Sequence, residues 1–71
     1  MKKIFSINVP GRHGYSFAVK CDTYYNEDTV IELAAESELF DDPEDADYAI
    51  AEDITDSDYD IAAFKNNTYT L

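Results

Sequence analysis

Between Asp22 and Asp60 the chain runs for 39 residues with sixteen acidic side chains and not one lysine or arginine. Burying an unpaired carboxylate is costly, and none of these has a cation within its own segment. Nearly all of them must therefore face water. The core has to come from the apolar residues between them and from the segment before them. That first segment has the opposite character: residues 1–21 hold Lys2, Lys3, Arg12 and Lys20 and no acid. Lys65 is the one basic residue after Asp60. A net charge of −11 would suit a disordered tail, but 45% hydrophobic and 14% aromatic residues supply enough apolar surface to fold.

The apolar pattern is legible along most of the chain. Phe5, Ile7 and Val9 alternate with Ser6 and Asn8, the period of a half-buried strand. Residues 10–14, which include His13, are turn material, and Tyr15, Phe17, Val19 and Cys21 then alternate with Ser16, Ala18 and Lys20. Together they predict a β-hairpin with a five-residue loop. Asn26 is a helix N-cap followed by Glu27 and Asp28 in the first turn, where the dipole favours acids. Val30, Leu33, Ala34 and Ser37 recur at helical spacing, with Ile31, Ala35 and Leu39 widening the apolar face. Asp41-Asp42-Pro43 reads as the helix stop. After a polar loop, Tyr48, Ile50 and Ile54 alternate as a third strand. Thr55-Asp56-Ser57-Asp58 opens a short helix to about Lys65, and Thr68 to Leu71 adds an edge strand. A competing reading makes Tyr59 to Phe64 a strand with Asn66-Asn67 as a hairpin turn. The expected fold class is α+β: a small single domain over residues 1–71, an N-terminal β-hairpin packed on an amphipathic helix, ββαβαβ order and a mostly antiparallel sheet.

A 71-residue chain removes only about 60% of its unfolded surface from water, so its core is marginal. Cys21 is the only cysteine, which provides no disulfide framework and fits a reducing compartment. No apolar run resembles a signal peptide or a membrane span, so a cytoplasmic location in a bacterial host is expected, with no membrane partner. The acidic balance argues against direct nucleic-acid binding, which relies on lysine and arginine to neutralise phosphates.

Few residues suggest chemistry. His13 lies in a turn and Cys21 on the apolar side of a strand, so no nucleophile–base pair is indicated and no catalytic residue is assigned. Asp56-Ser57-Asp58-Tyr59-Asp60 opens like a calcium loop, but Ile61 and Asn67 stand where such a loop needs glycine and a bidentate glutamate. Gly11-Arg12-His13-Gly14 matches the GXXG clamp of KH domains only superficially, since here it closes a hairpin. Asn66-Asn67-Thr68 is a formal glycosylation sequon without relevance to a cytoplasmic protein. No metal and no cofactor is expected. The chain reads as a binding protein and not an enzyme.

Carboxylates four residues apart on a helix stand about 6 Å apart along its axis. Asp28, Glu32 and Glu36 would thus form a negative row able to imitate a nucleic-acid backbone. Asp41, Asp42, Glu44, Asp45 and Asp47 continue the charge, and Asp56, Asp58 and Asp60 are assigned to the same surface. Tyr24, Tyr25, Tyr48 and Tyr59 lie within or beside the acidic stretch as candidate anchors, because interface hot spots favour tyrosine. The bland alternative is a solvated face that keeps a small domain soluble.

In size, charge and its acidic stretch from Asp22 to Asp60, the chain resembles the small acidic inhibitors carried by phages and mobile elements, the DNA-mimic anti-restriction and anti-CRISPR proteins. The resemblance implies a partner that binds nucleic acid through a basic channel, such as a Cas effector or a restriction enzyme. A second reading is a structural or assembly module acting through edge-strand pairing or as a homodimer.

Overall fold

A computed structural model describes residues 2–12, 14–22 and 25–71. The hairpin forms as expected. Strand β1 (Lys3–Val9) pairs antiparallel with β2 (Tyr15–Cys21), Val9 opposite Tyr15, so the loop is residues 10–14. Phe5, Ile7, Val9, Phe17, Val19 and Cys21 are all buried. Their common face receives helix α1 (Glu27–Glu36), whose Val30 and Ala34 are fully buried against it. Asn26 caps the helix, its Oδ1 accepting the Thr29 amide at 2.8 Å. His13, Tyr24 and Thr23 lie outside the described residues, so the turn histidine and one candidate anchor tyrosine are not placed.

The helix ends earlier than Asp41-Asp42-Pro43. Ser37 is its C-cap and is exposed, and Glu38 takes the left-handed conformation with φ of 59°. The Glu38 amide donates to the Ala35 carbonyl and the Leu39 amide to the Ala34 carbonyl, both at 3.1 Å. This is a Schellman closure with glutamate where glycine is usual. Asp42 and Pro43 instead start a 3₁₀ turn (Pro43–Asp47), with Asp42 Oδ1 accepting the Glu44 amide at 3.0 Å.

Strand β3 (Ile50–Asp53) adds antiparallel to the other side of β1, and β4 (Thr68–Thr70) adds parallel to β2. The sheet order is β3-β1-β2-β4, so the fold is a small α+β domain with a mixed sheet. Helix α2 (Asp58–Ala63) connects the two edges. Its cap is a Ser57–Asp60 pair: Ser57 Oγ accepts the Asp60 amide at 3.4 Å and donates to Asp60 Oδ2 at 2.8 Å. The helix reading of this segment therefore prevails over the strand. Both long connections join parallel strands but cross the sheet in opposite directions, and right-handed crossovers then place α1 and α2 on opposite faces. Ala18 and Ile54, buried outside the α1 core, mark this second covered face.

Of the expected alternation Tyr48, Ile50 and Ile54, only Ile54 is buried. Ala49 and Ala51 pack toward the α1 core, while Tyr48 and Ile50 are exposed. Alternation along a strand sends successive side chains to opposite faces, and the small alanines let α1 approach β3 closely. A testable consequence concerns Glu38. Glycine adopts a positive φ without steric cost, so Glu38→Gly should raise the unfolding free energy by about 0.5 kcal/mol over Glu38→Gln, after allowing for the freer unfolded chain. Urea titration with an unchanged slope checks this; a lower midpoint for the glycine variant contradicts it.

Candidate functional site

Helix α1 lies over the β1–β3 half of the sheet and touches the 3₁₀ turn. These three adjoining elements, α1, the 3₁₀ turn and β3, carry Glu27, Asp28, Glu32, Glu36, Glu44, Asp47 and Glu52 in the exposed class. The other half of the sheet differs: β2 and β4 contain no acid, and Lys20 on β2 is exposed. The charge asymmetry of the sequence thus becomes an asymmetry of the fold. Asp28, Glu32 and Glu36 occupy the water side of α1 because Val30 and Ala34 fix its other side on the hairpin.

Several acids have local structural partners. Tyr15 Oη donates to Asp45 Oδ2 at 2.7 Å and accepts the Asp41 amide at 2.9 Å, tying the 3₁₀ segment to the end of β2. Burial, and then the hydrogen bond to Asp45, push the Tyr15 hydroxyl above its usual range. Asp53 Oδ1 accepts the Thr55 amide at 2.9 Å and the Thr55 hydroxyl, and Asp53 Oδ2 meets Lys3 Nζ at 3.5 Å. The Thr55 bonds chiefly, with Lys3 beside them, hold the Asp53 carboxyl below the usual carboxylate range. Asp42 caps the 3₁₀ turn, and Asp60 Oδ2 accepts the hydroxyl of Ser57, the cap of α2. Lys3–Asp53 is the one ion pair among the described residues. The side chains of Asp28, Glu32, Glu36, Asp41, Glu44, Asp47, Asp56 and Asp58 make no hydrogen bond or ion pair among those residues.

The second acidic group stands elsewhere. Asp56, Asp58 and Asp60 belong to the α2 crossover, on the face away from α1, and Asp60 is half-buried. Tyr59 beside them is 85% exposed, whereas Tyr25 is half-buried and packs against the core. Tyr48, a candidate anchor in the sequence, is exposed, and so is Ile50, which the sequence did not single out as a surface residue. Cys21 is fully buried, and burial, with Asp22 nearby, pushes its thiol up. No cavity opens among the described residues, and they hold no group of three or more His, Cys, Asp or Glu arranged to bind a metal ion. No helix is long and apolar enough to cross a membrane. Comparison with protein-family models, with curated proteins and with solved structures found no match for this chain.

Two stability measurements test these assignments. Tyr15→Phe removes two hydrogen bonds and should cost about 1 kcal/mol. Because the folded hydroxyl titrates above the unfolded one, that advantage is full below about pH 10 and declines as pH rises past it. A phenylalanine variant as stable as the parent at pH 7 removes the tie. Asp53 has the opposite sign: its folded carboxyl is lowered, so its contribution is present above about pH 4 and lost as pH falls through the folded value. The stability difference between the parent and Asp53→Asn should therefore vanish in acid, and a difference that persists at pH 2 contradicts the linkage.

Proposed function

We propose that this protein is a non-enzymatic inhibitor that occupies the basic nucleic-acid-binding surface of a target protein, of the Cas effector or restriction enzyme kind, by presenting carboxylates in place of phosphates. The observation that carries this reading is the set of exposed carboxylates on α1 and the adjoining 3₁₀ turn, without an ion-pair partner among the described residues, on a protein of net charge −11.

The reasoning is energetic. Like charges four apart on a helix destabilise it by about 0.2–0.5 kcal/mol per pair, and Asp28, Glu32 and Glu36 make two such pairs. A chain meant only to be soluble could intersperse lysines at no such cost. A groove lined by arginine and lysine relieves the repulsion on binding, steers the encounter, and loses the complex as salt rises. The unpaired row on α1 is the centre of the proposed surface. Asp56 and Asp58 on the far crossover would meet the target only if it wraps around the β3 edge.

The test is competition. The protein is immobilised, exposed to heparin-enriched bacterial nucleic-acid-binding proteins at low and high salt, and each retained protein is assayed for release of a labelled DNA duplex. Retention at low salt with displacement of the duplex is expected. Asp28→Lys, Glu32→Lys and Glu36→Lys together should abolish both while leaving the circular dichroism spectrum unchanged. Undiminished displacement by a folded triple variant contradicts the placement of the site on α1.

A further inference from the structure

Four large apolar side chains stand in solvent among the described residues, and two of them, Tyr48 at 66% and Ile50 at 60% exposure, are neighbours at the start of β3. Ile50 opposes the exposed Asn8 on β1, on the sheet face away from the α1 core. β3 is also an edge: its one neighbour in the sheet is β1.

In an antiparallel pair, alternate residues direct their backbone groups to the neighbour and the rest point away. The Ile54 amide donates to the Ile4 carbonyl at 2.9 Å, which sets the phase in the register that pairs Ser6 with Glu52 and Asn8 with Ile50. The N–H and C=O groups of Ala51 and Asp53 therefore face outward along the open edge. Ile50–Asp53 has no lysine, proline or bulge; what guards this short edge against like copies is its acid. What flanks the edge is acid, with Glu52 and Asp53 on it and Glu44 and Asp47 in the 3₁₀ turn just before. A second copy would bring the same charges against themselves, whereas an extended cationic segment would meet opposite charge along its length.

We propose that the β3 edge is where the target docks, through an extended, lysine- or arginine-rich segment that adds as a strand. Its backbone pairs with Ala51 and Asp53, an apolar side chain rests on Ile50 and Tyr48, and its cations face Glu44, Asp47 and Glu52. Backbone pairing supplies affinity and the alternate side chains supply selectivity. This rests on the reading of a cationic partner and adds how that partner is held.

The experiment uses the full chain, isotope-labelled, with three synthetic peptides of about ten residues at about 50 mM salt. One alternates valine and lysine at every second position with threonine between them, so that both lie on the face of Ile50 and Glu52, one is the same with every backbone nitrogen methylated, and one is oligolysine. The alternating peptide should slow hydrogen exchange at the Ala51 and Asp53 amides, and the N-methylated one, equally charged but stripped of donors, should bind about tenfold more weakly. Ile50→Thr should weaken the alternating peptide about fivefold with the amide spectrum otherwise intact. Equal binding of the methylated peptide, or binding without protection of those amides, overturns edge pairing and leaves the cationic-partner reading standing. Binding by none of the three overturns both. Protection that grows with protein concentration in the absence of peptide overturns the proposal in favour of a homodimer.

Discussion

The fold rests on one contact, the seating of α1 on the inner face of the hairpin. Val30 and Ala34 lie against Phe5, Ile7, Phe17 and Val19, and Phe40 closes the same core from beyond the helix. Phe17 is its hinge point, stacked on Tyr15 and meeting Phe40 and Tyr69 edge-on at ring distances of 5.6 and 5.7 Å. No disulfide reinforces this core, so the burial of a few large side chains carries the domain. The same contact sets the rotation of α1. Turning the helix so that Glu32 faced the hairpin would bury an uncompensated charge, at a cost of several kcal/mol. Core packing and charge exclusion thus specify the same orientation.

That orientation leaves α1 an electrostatically poor helix. Its last turn has no basic residue, and Glu36 with Glu38 just beyond puts negative charge at the negative end of the dipole. Elsewhere the acids have local uses: Asp42 caps, Asp60 holds the Ser57 cap, Asp45 holds Tyr15, and Asp53 organises Thr55 and Lys3. These roles account for four carboxylates without any partner. The row on α1, with Glu44 and Asp47, makes no such hydrogen bond or ion pair among the described residues.

Elements with an unambiguous period were legible before any coordinates. The hairpin alternation and the Asn26 cap each follow from side-chain chemistry that acts locally, whereas the α2 cap falls on Ser57 and Asp60, two residues beyond the expected Thr55–Asp58 start. What escaped was set by neighbours in space. Glu38 ends the helix because Leu39 is drawn back to the Ala34 carbonyl, a closure normally announced by glycine. Ala18 is buried on the sheet face away from the α1 core, which alternation along β2 cannot reveal. Tyr48 and Ile50 read as an inward face, yet α1 takes the alanines of β3 and leaves them outside. For the candidate surface, the absence of cations was plain in the sequence. The division of the acids between the α1 side and the α2 side depended on the crossovers.

On this account the exposed carboxylates around α1 act on one another as a single field. The direct measurement is the unfolding free energy against sodium chloride concentration, for the parent and for Asp28→Asn, Glu32→Gln and Glu36→Gln combined. Screening shortens the reach of charge to about 10 Å at 0.1 M salt, so added salt should stabilise the parent more than the neutralised variant and close the gap between them. A gap that is absent, or that does not change with salt, would mean that these carboxylates stand as isolated, solvated charges.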